Sequence, residues 1–254
     1  MGFFRGGLLI IVCILLLGSL LIGNFLLVLS SSLEYENVKM ELTPIIKDMI
    51  YDSVDEEKIE TSFAVMKVYC EKGNSAFIIQ EDYNFVIPCE DILNGTLESV
   101  LDSQIEAFMQ ENYYKEYTCS FIECFGESEI PLFLFSEMSK NYLENKYYYF
   151  LIFSLVFLGF VFLLVEKKIN TLILGGSLVI VSSLPFIKIT SFSFGSETYS
   201  QIFLIFVKQS NMIFWWVFTI GILILGIGIG LKFWNFNKAK EFLEKKTSGK
   251  RNNL

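Results

Sequence analysis

Read along the chain, the apolar positions fall into two kinds of pattern. Four stretches are apolar all the way round, and between the first two of them lies a long segment in which apolar residues return every three or four positions. From Gly6 to Leu29 the sequence GGLLIIVCILLLGSLLIGNFLLVL holds 24 residues without a charge, more than the roughly 20 that a helix needs to cross a hydrocarbon core. That length exceeds the apolar region of a secretory leader, so an uncleaved anchor is expected. Tyr147–Val165 forms a second span, opened by Tyr147, Tyr148 and Tyr149 at interface level and closed by Glu166, Lys167 and Lys168. A third covers Thr171–Ile187, ended by Pro185 and Lys188, and a fourth covers Asn211–Leu231, with Trp215 and Trp216 near its start.

Between the first two spans the period changes. Tyr35, Val38, Leu42, Ile45, Ile46, Met49 and Ile50 predict an amphipathic helix standing on the first span, with Pro44 as a kink; Ile59, Phe63, Met66 and Cys70 predict a second helix. Two short apolar runs, Ala76–Ile79 and Phe85–Ile87, flank the polar Gln80–Asn84 and predict a small hairpin. After Asn94-Gly95-Thr96, with Thr96 as N-cap, the residues Leu97, Val100, Leu101, Ile105, Phe108 and Met109 mark one face of a helix, and Glu98, Asp102, Glu106 and Glu111 lie off it. YTCSFIECF, Tyr117–Phe125, reads as a compact turn or irregular segment. Two cysteines five apart on one helix would stand about 140° apart around the axis and would not meet.

Charge turns the pattern into a topology. Residues 31–146 carry 24 Asp+Glu against 8 Lys+Arg, whereas the rest of the 254-residue chain carries 4 against 12. The basic groups gather at Arg5, at Lys167 and Lys168, and in the tail after Leu231, where Lys232, Lys238, Lys240, Lys245, Lys246, Lys250 and Arg251 face only Glu241 and Glu244. The positive-inside bias places all three on the cytoplasmic side, and four spans bring them there together. The expected localisation is the cell membrane, multi-pass, with both termini cytoplasmic and residues 31–146 outside. The fold class that follows is a mainly α membrane protein: four transmembrane helices, with a disulfide-stapled, mostly helical outer domain and a small β-hairpin inserted between spans 1 and 2. Its parts are residues 1–30 with the first span, the acidic outer domain 31–146, residues 147–231 with spans 2–4 and an outer loop at 188–210, and a basic tail 232–254. That tail suits an anionic inner leaflet and requires no nucleic acid.

Composition narrows the chemistry. The chain is 53% hydrophobic and contains no histidine, with a mean hydropathy of +0.49, which removes the commonest general base and the commonest zinc ligand. Cys70, Cys89, Cys119 and Cys124 all fall in the outward segment, where paired thiols persist as disulfides. Close C-x-x-C pairs or Cys/His mixtures of a metal site are absent, so no metal or other cofactor is expected. Among the three possible connectivities, Cys70–Cys89 and Cys119–Cys124 are preferred; Cys13, within the first span, reads as a small hydrophobe. The acidic runs at Asp55-Glu56-Glu57, Glu81-Asp82 and Glu90-Asp91 lack the spacing and glycine of a calcium loop and read as solvated surface. Asn94 heads an Asn-x-Thr acceptor and is a candidate for glycosylation. Asn24, the strongly polar side chain of the first span, is expected to bond a neighbouring helix, while Gly226-x-x-x-Gly230 and Ser19-x-x-x-Gly23 are candidates for close helix approach.

One span, a large cysteine-bearing loop and three further spans resemble the claudin-type tetraspan layout in topology alone. The loop holds no tryptophan and no Cys-Cys-Gly step, so neither claudin nor tetraspanin functional residues carry over. With no catalytic residue indicated, the expected function is non-catalytic: presentation of an acidic extracytoplasmic domain for protein–protein interaction or complex assembly. Its expected partners are the lipid bilayer and other membrane or extracytoplasmic proteins, a second copy of the chain included. A membrane thiol–disulfide oxidoreductase and an accessory subunit of a transporter are the alternatives, and the exposed low-pKa thiol or C-x-x-C pair that would favour the first is absent.

Overall fold

The computed structural model describes residues 3–53, 56–80, 84–127, 131–187 and 203–251. The chain is mostly helical and divides into two compact units, one formed by Met1–Ser31 with Tyr142–Leu254 and the other by Ser32–Asn141. The helices are α1 (Phe3–Ser32), α2 (Tyr35–Ser53), α3 (Glu56–Glu71), α4 (Cys89–Asn94), α5 (Leu97–Tyr113), α6 (Phe121–Glu127), α7 (Glu137–Leu164), α8 (Ile169–Ser183), a short α9 over residues 203–207, and α10 (Ser210–Arg251). Strands β1 (Ala76–Gln80) and β2 (Asn84–Pro88) form an antiparallel hairpin. The loop expected at 188–210 lies outside the described residues as far as 202, as do Asp55, Glu81 and Asp82.

Four helical stretches are long and apolar enough to cross a membrane: Phe4–Ser32, Glu137–Leu164, Ile169–Ile187 and Phe203–Trp234. These are compatible with a multi-pass membrane protein. Two of the helices run past the spans read from hydropathy. α7 begins at Glu137, ten residues ahead of Tyr147, where Ser136 caps its first turn by accepting from the Ser139 N–H at 3.4 Å. α10 continues to Arg251, twenty residues beyond Leu231. A hydropathy window measures apolar length, whereas a helix ends only where caps or breakers end it. α8 shows the breaker: its α-helical ladder stops at Ser183, and Leu184–Ile187 tighten into a 3-10 turn around Pro185, which has no N–H to continue the ladder.

Within the first unit, the helices meet through small and hydroxyl-bearing residues. Glycine brings α8 and α10 into backbone contact in an antiparallel seam. A Cβ on Gly176 would stand 2.6 Å from the Leu225 nitrogen, one on Gly221 2.7 Å from Ile180 Cγ1, and one on Gly228 3.0 Å from the Ile173 nitrogen. The seam therefore uses Gly221 and Gly228, seven residues apart, which is the heptad spacing of one helix face. Gly226 and Gly230, the pair singled out by sequence pattern, have open space around them, so that assignment is corrected: being offset from the seam by two or more positions turns them to other faces of α10. A Cβ on Gly23 would stand an ordinary 3.6 Å from Phe150 Cβ.

Hydroxyls and one amide join α1 to its neighbours. The Asn24 amide donates to Ser182 Oγ at 3.1 Å, the interhelical bond expected for it, and Ser182 in turn donates to the Val179 carbonyl. Ser19 donates to the Phe150 carbonyl at 3.0 Å and accepts from Ser154 Oγ at 3.0 Å. At the far end, Arg5 donates through Nε to the Leu164 carbonyl at 2.6 Å and Lys168 donates to the Phe162 carbonyl at 2.6 Å. Two cations thus satisfy the open carbonyls and the negative dipole end of α7.

The close glycine seam predicts an asymmetry between positions. Gly176→Leu should cost about 1–3 kcal/mol by overpacking against the α10 backbone. Gly226→Leu, facing open space, should stay within about 0.5 kcal/mol of the parent. Detergent unfolding of the full chain, followed by Trp215 and Trp216 fluorescence, checks both; equal destabilisation would refute the seam.

Candidate functional site

In the second unit one apolar cluster joins Cys70, Ile87, Cys89, Ile92 and Val100, with Phe63, Met66 and Phe77 packed against it. The cluster depends on a covalent link, because Cys70 in the last turn of α3 is bridged to Cys89, the first residue of α4. That bridge encloses the hairpin. The β1/β2 register pairs Phe77 with Ile87 and Ile78 with Val86, and since side chains alternate, Phe77 and Ile87 turn to the cluster while Ile78 and Val86 turn away. Phe77 also meets Tyr69 of α3 edge to face, with ring centroids 5.3 Å apart.

α5 is held at both ends of its sequence pattern. Thr96 and Ser99 form a reciprocal capping box, Ser99 N–H to Thr96 Oγ1 at 3.2 Å and Thr96 N–H to Ser99 Oγ at 2.9 Å. Gly95 is required before it, as a Cβ there would stand 2.5 Å from the Asp91 carbonyl oxygen. Along the helix, the acids left off the apolar face are partly consumed by α2: Lys39 pairs with Glu106, and Lys47 with Asp102 and, at 3.7 Å, with Glu98. These carboxylate partners raise the pKa of both lysines above the ordinary value. Because the pairing runs from Lys39 and Lys47 to falling positions on α5, the two helices are antiparallel. Tyr113, at the end of α5, donates to the Leu33 carbonyl at 2.8 Å and meets Tyr35 at 5.3 Å between ring centroids.

The second bridge corrects the reading of YTCSFIECF as a turn or irregular segment. Phe121–Glu127 is helical, with Cys124 inside it and Cys119 two residues ahead of its start. Ser120 opens the helix: its N–H is accepted by the Glu123 carboxylate at 2.9 Å, and its carbonyl accepts from the Cys124 N–H at 2.9 Å. The Ser120 backbone N–H, and after it the Ser120 hydroxyl, hold Glu123 below the usual carboxylate range. With Cys119 outside the helix, the 140° separation no longer applies, and the two Cα atoms stand 5.5 Å apart.

The structure therefore brings the four cysteines together as Cys70–Cys89 and Cys119–Cys124. Cys70, Cys89 and Cys124 are each at most 4% exposed, which shields the first bridge on both sides from an attacking thiolate. Asn94 is the exposed last residue of α4, open to modification, while Thr96 of the same tripeptide is engaged as the cap. The hairpin leaves one apolar face uncovered. Ile78 and Val86, direct cross-strand neighbours, are 55% and 56% exposed. A strand pattern of apolar residues on both faces was the available signal, and only the fold shows which face is left open. α3, against β1, exposes Val65 and Val68 as well.

No known family matches the chain, and neither does any curated protein or solved structure.

Removal of the first bridge should expose how little else holds the hairpin. For a crosslink spanning 19 residues, Cys70→Ser with Cys89→Ser in the full chain should cost about 3 kcal/mol, roughly a hundredfold in local hydrogen exchange at β1, β2 and α4. Unchanged exchange there would refute the bridge as a structural support.

Proposed function

We propose that this chain is a multi-pass membrane protein whose acidic, doubly bridged unit lies outside the cytoplasm and works by binding other proteins. The observation that carries this reading is the apolar outer face of the hairpin, Ile78 beside Val86. With Val65 and Val68 exposed on α3, the pair offers apolar surface to a partner, and the bridge reduces the ordering cost of binding. Orientation rests on the distribution of Lys and Arg: Arg5, Lys167, Lys168 and the tail on one side, residues 31–146 on the other. The burial of the Cys70–Cys89 sulfurs favours a structural bridge over a thiol–disulfide exchange centre.

Two measurements test the two halves of the proposal. Protease added to sealed cells should cut within residues 31–146 while an epitope after Leu231 survives; loss of that epitope would reject the orientation. A photoreactive residue at Ile78 in native membranes should give a discrete adduct with one or a few proteins, and Val86→Glu in the same chain should remove it. Since both positions are exposed, Val86→Glu should leave stability within about 0.5 kcal/mol. The absence of any adduct above that of a photoreactive residue at the exposed Glu71 would reject the hairpin as the binding face.

A further inference from the structure

The first unit contains a cleft of about 680 Å³ bounded by α1, α7 and α8, with one side chain of α10 reaching it. Its size is that of a small-molecule site, and it lies between helices that the apolar pattern places in hydrocarbon. Leu155, Leu158 and Leu172 line its length. Ser19, Asn24 and Ser154 also line it, with their polar atoms bonded between helices, and the end next to the α7–α8 turn carries a cation. Lys168 stands there, donating one N–H to the Phe162 carbonyl and lying 4.6 Å from the Phe162 ring centroid. An ammonium has three donors, so two remain. One turn on, Thr171 lines the same cleft; it is 4% exposed, and its Oγ1 is enclosed by the protein.

We infer that this cleft binds one acyl chain of an anionic phospholipid, with the phosphate at Lys168. An apolar trough opening between spans accepts a hydrocarbon chain, and a cation with two N–H donors to spare, beside the positive dipole end of α8, bonds phosphate oxygens. The turn also holds Glu166 and Lys167, and Arg5 caps the same end of α7, so cations outnumber the one acid three to one. Free phosphate would use the polar end alone and leave the trough without an occupant.

The test uses the full chain in phosphatidylcholine vesicles containing a few per cent of phosphatidylglycerol with a diazirine on one acyl chain. After illumination, label should concentrate on α7 and α8 peptides that line the cleft. Phosphatidylcholine with the same chain should label them less by about fivefold, the factor expected from one lysine near an anionic headgroup, and Lys168→Ala should abolish that difference. Gly159 lines the cleft and has open space around it, so Gly159→Phe should fill the trough and remove cleft labelling. Gly226→Phe, equally unhindered but outside the cleft, should leave the labelling intact and serves as the folding control. Equal labelling by the two headgroups, or cleft labelling that survives Gly159→Phe, would overturn the inference. So would loss of labelling on adding inorganic phosphate, which would assign the polar end to a free anion, or crosslinking of the cleft to a second copy of the chain, which would assign the trough to a helix.

Discussion

In hydrocarbon, leucine gains nothing by leaving lipid for leucine, and every backbone N–H and C=O must find its partner inside the chain. Four helical stretches of the chain are long and apolar enough to cross a membrane, and for a helix that crosses one the constraint removes the hydrophobic effect as a reason to associate. What remains is close contact and polar bonding. The α8–α10 seam supplies the first through Gly176, Gly221 and Gly228, and the Asn24–Ser182 and Ser19–Ser154 pairs supply the second. The cations Arg5 and Lys168 belong to the same economy, since each bonds a carbonyl that α7 leaves open at its end.

The second unit is held by further means: one of its apolar clusters contains five buried residues, and two of them are the bridged cysteines. Covalent and electrostatic ties take up part of the load. One disulfide closes the hairpin onto α3 and α4, the other ties α6 to the segment before it, and the Lys39 and Lys47 pairs align α2 with α5. Exposed ion pairs of this kind contribute little each, so they set register more than stability. A unit built in this way can leave Ile78 and Val86 in solvent without unravelling, because the bridge rather than the hairpin's own burial fixes its position.

Elements with a strong period were legible in the sequence. The four apolar stretches, the hairpin and α5 with its Thr96 cap all lie where apolar spacing and cap chemistry put them. Helix ends were not, because Glu137–Lys146 and the residues after Leu231 are polar yet good helix formers, and hydropathy is blind to them. Nor was the glycine seam. Gly-x-x-x-Gly marks a face that is able to approach a partner, but which glycines do so depends on how α10 is rotated against α8, and that rotation selected Gly221 and Gly228. The YTCSFIECF segment failed for a related reason: the argument that two cysteines on one helix would not meet was sound, but the helix starts between them. The exposed hairpin face and the cleft were beyond reach, since both are defined by what the rest of the chain leaves uncovered.

That last distinction bears on where function sits in this molecule. Residues spent on holding the fold have their bonding capacity used: Ser182 accepts from Asn24 and donates to Val179, and Ser19 accepts from Ser154 and donates to Phe150. Thr171 and Ser210 are different, being as buried as they are and yet without a hydroxyl partner among the described residues. Ile78 and Val86 are different in the complementary sense, apolar and yet uncovered. An exposed apolar pair on a strand contributes nothing to the packing of its own unit, and the binding face proposed above follows from that: an apolar protein surface laid over Ile78 and Val86 would take both out of solvent.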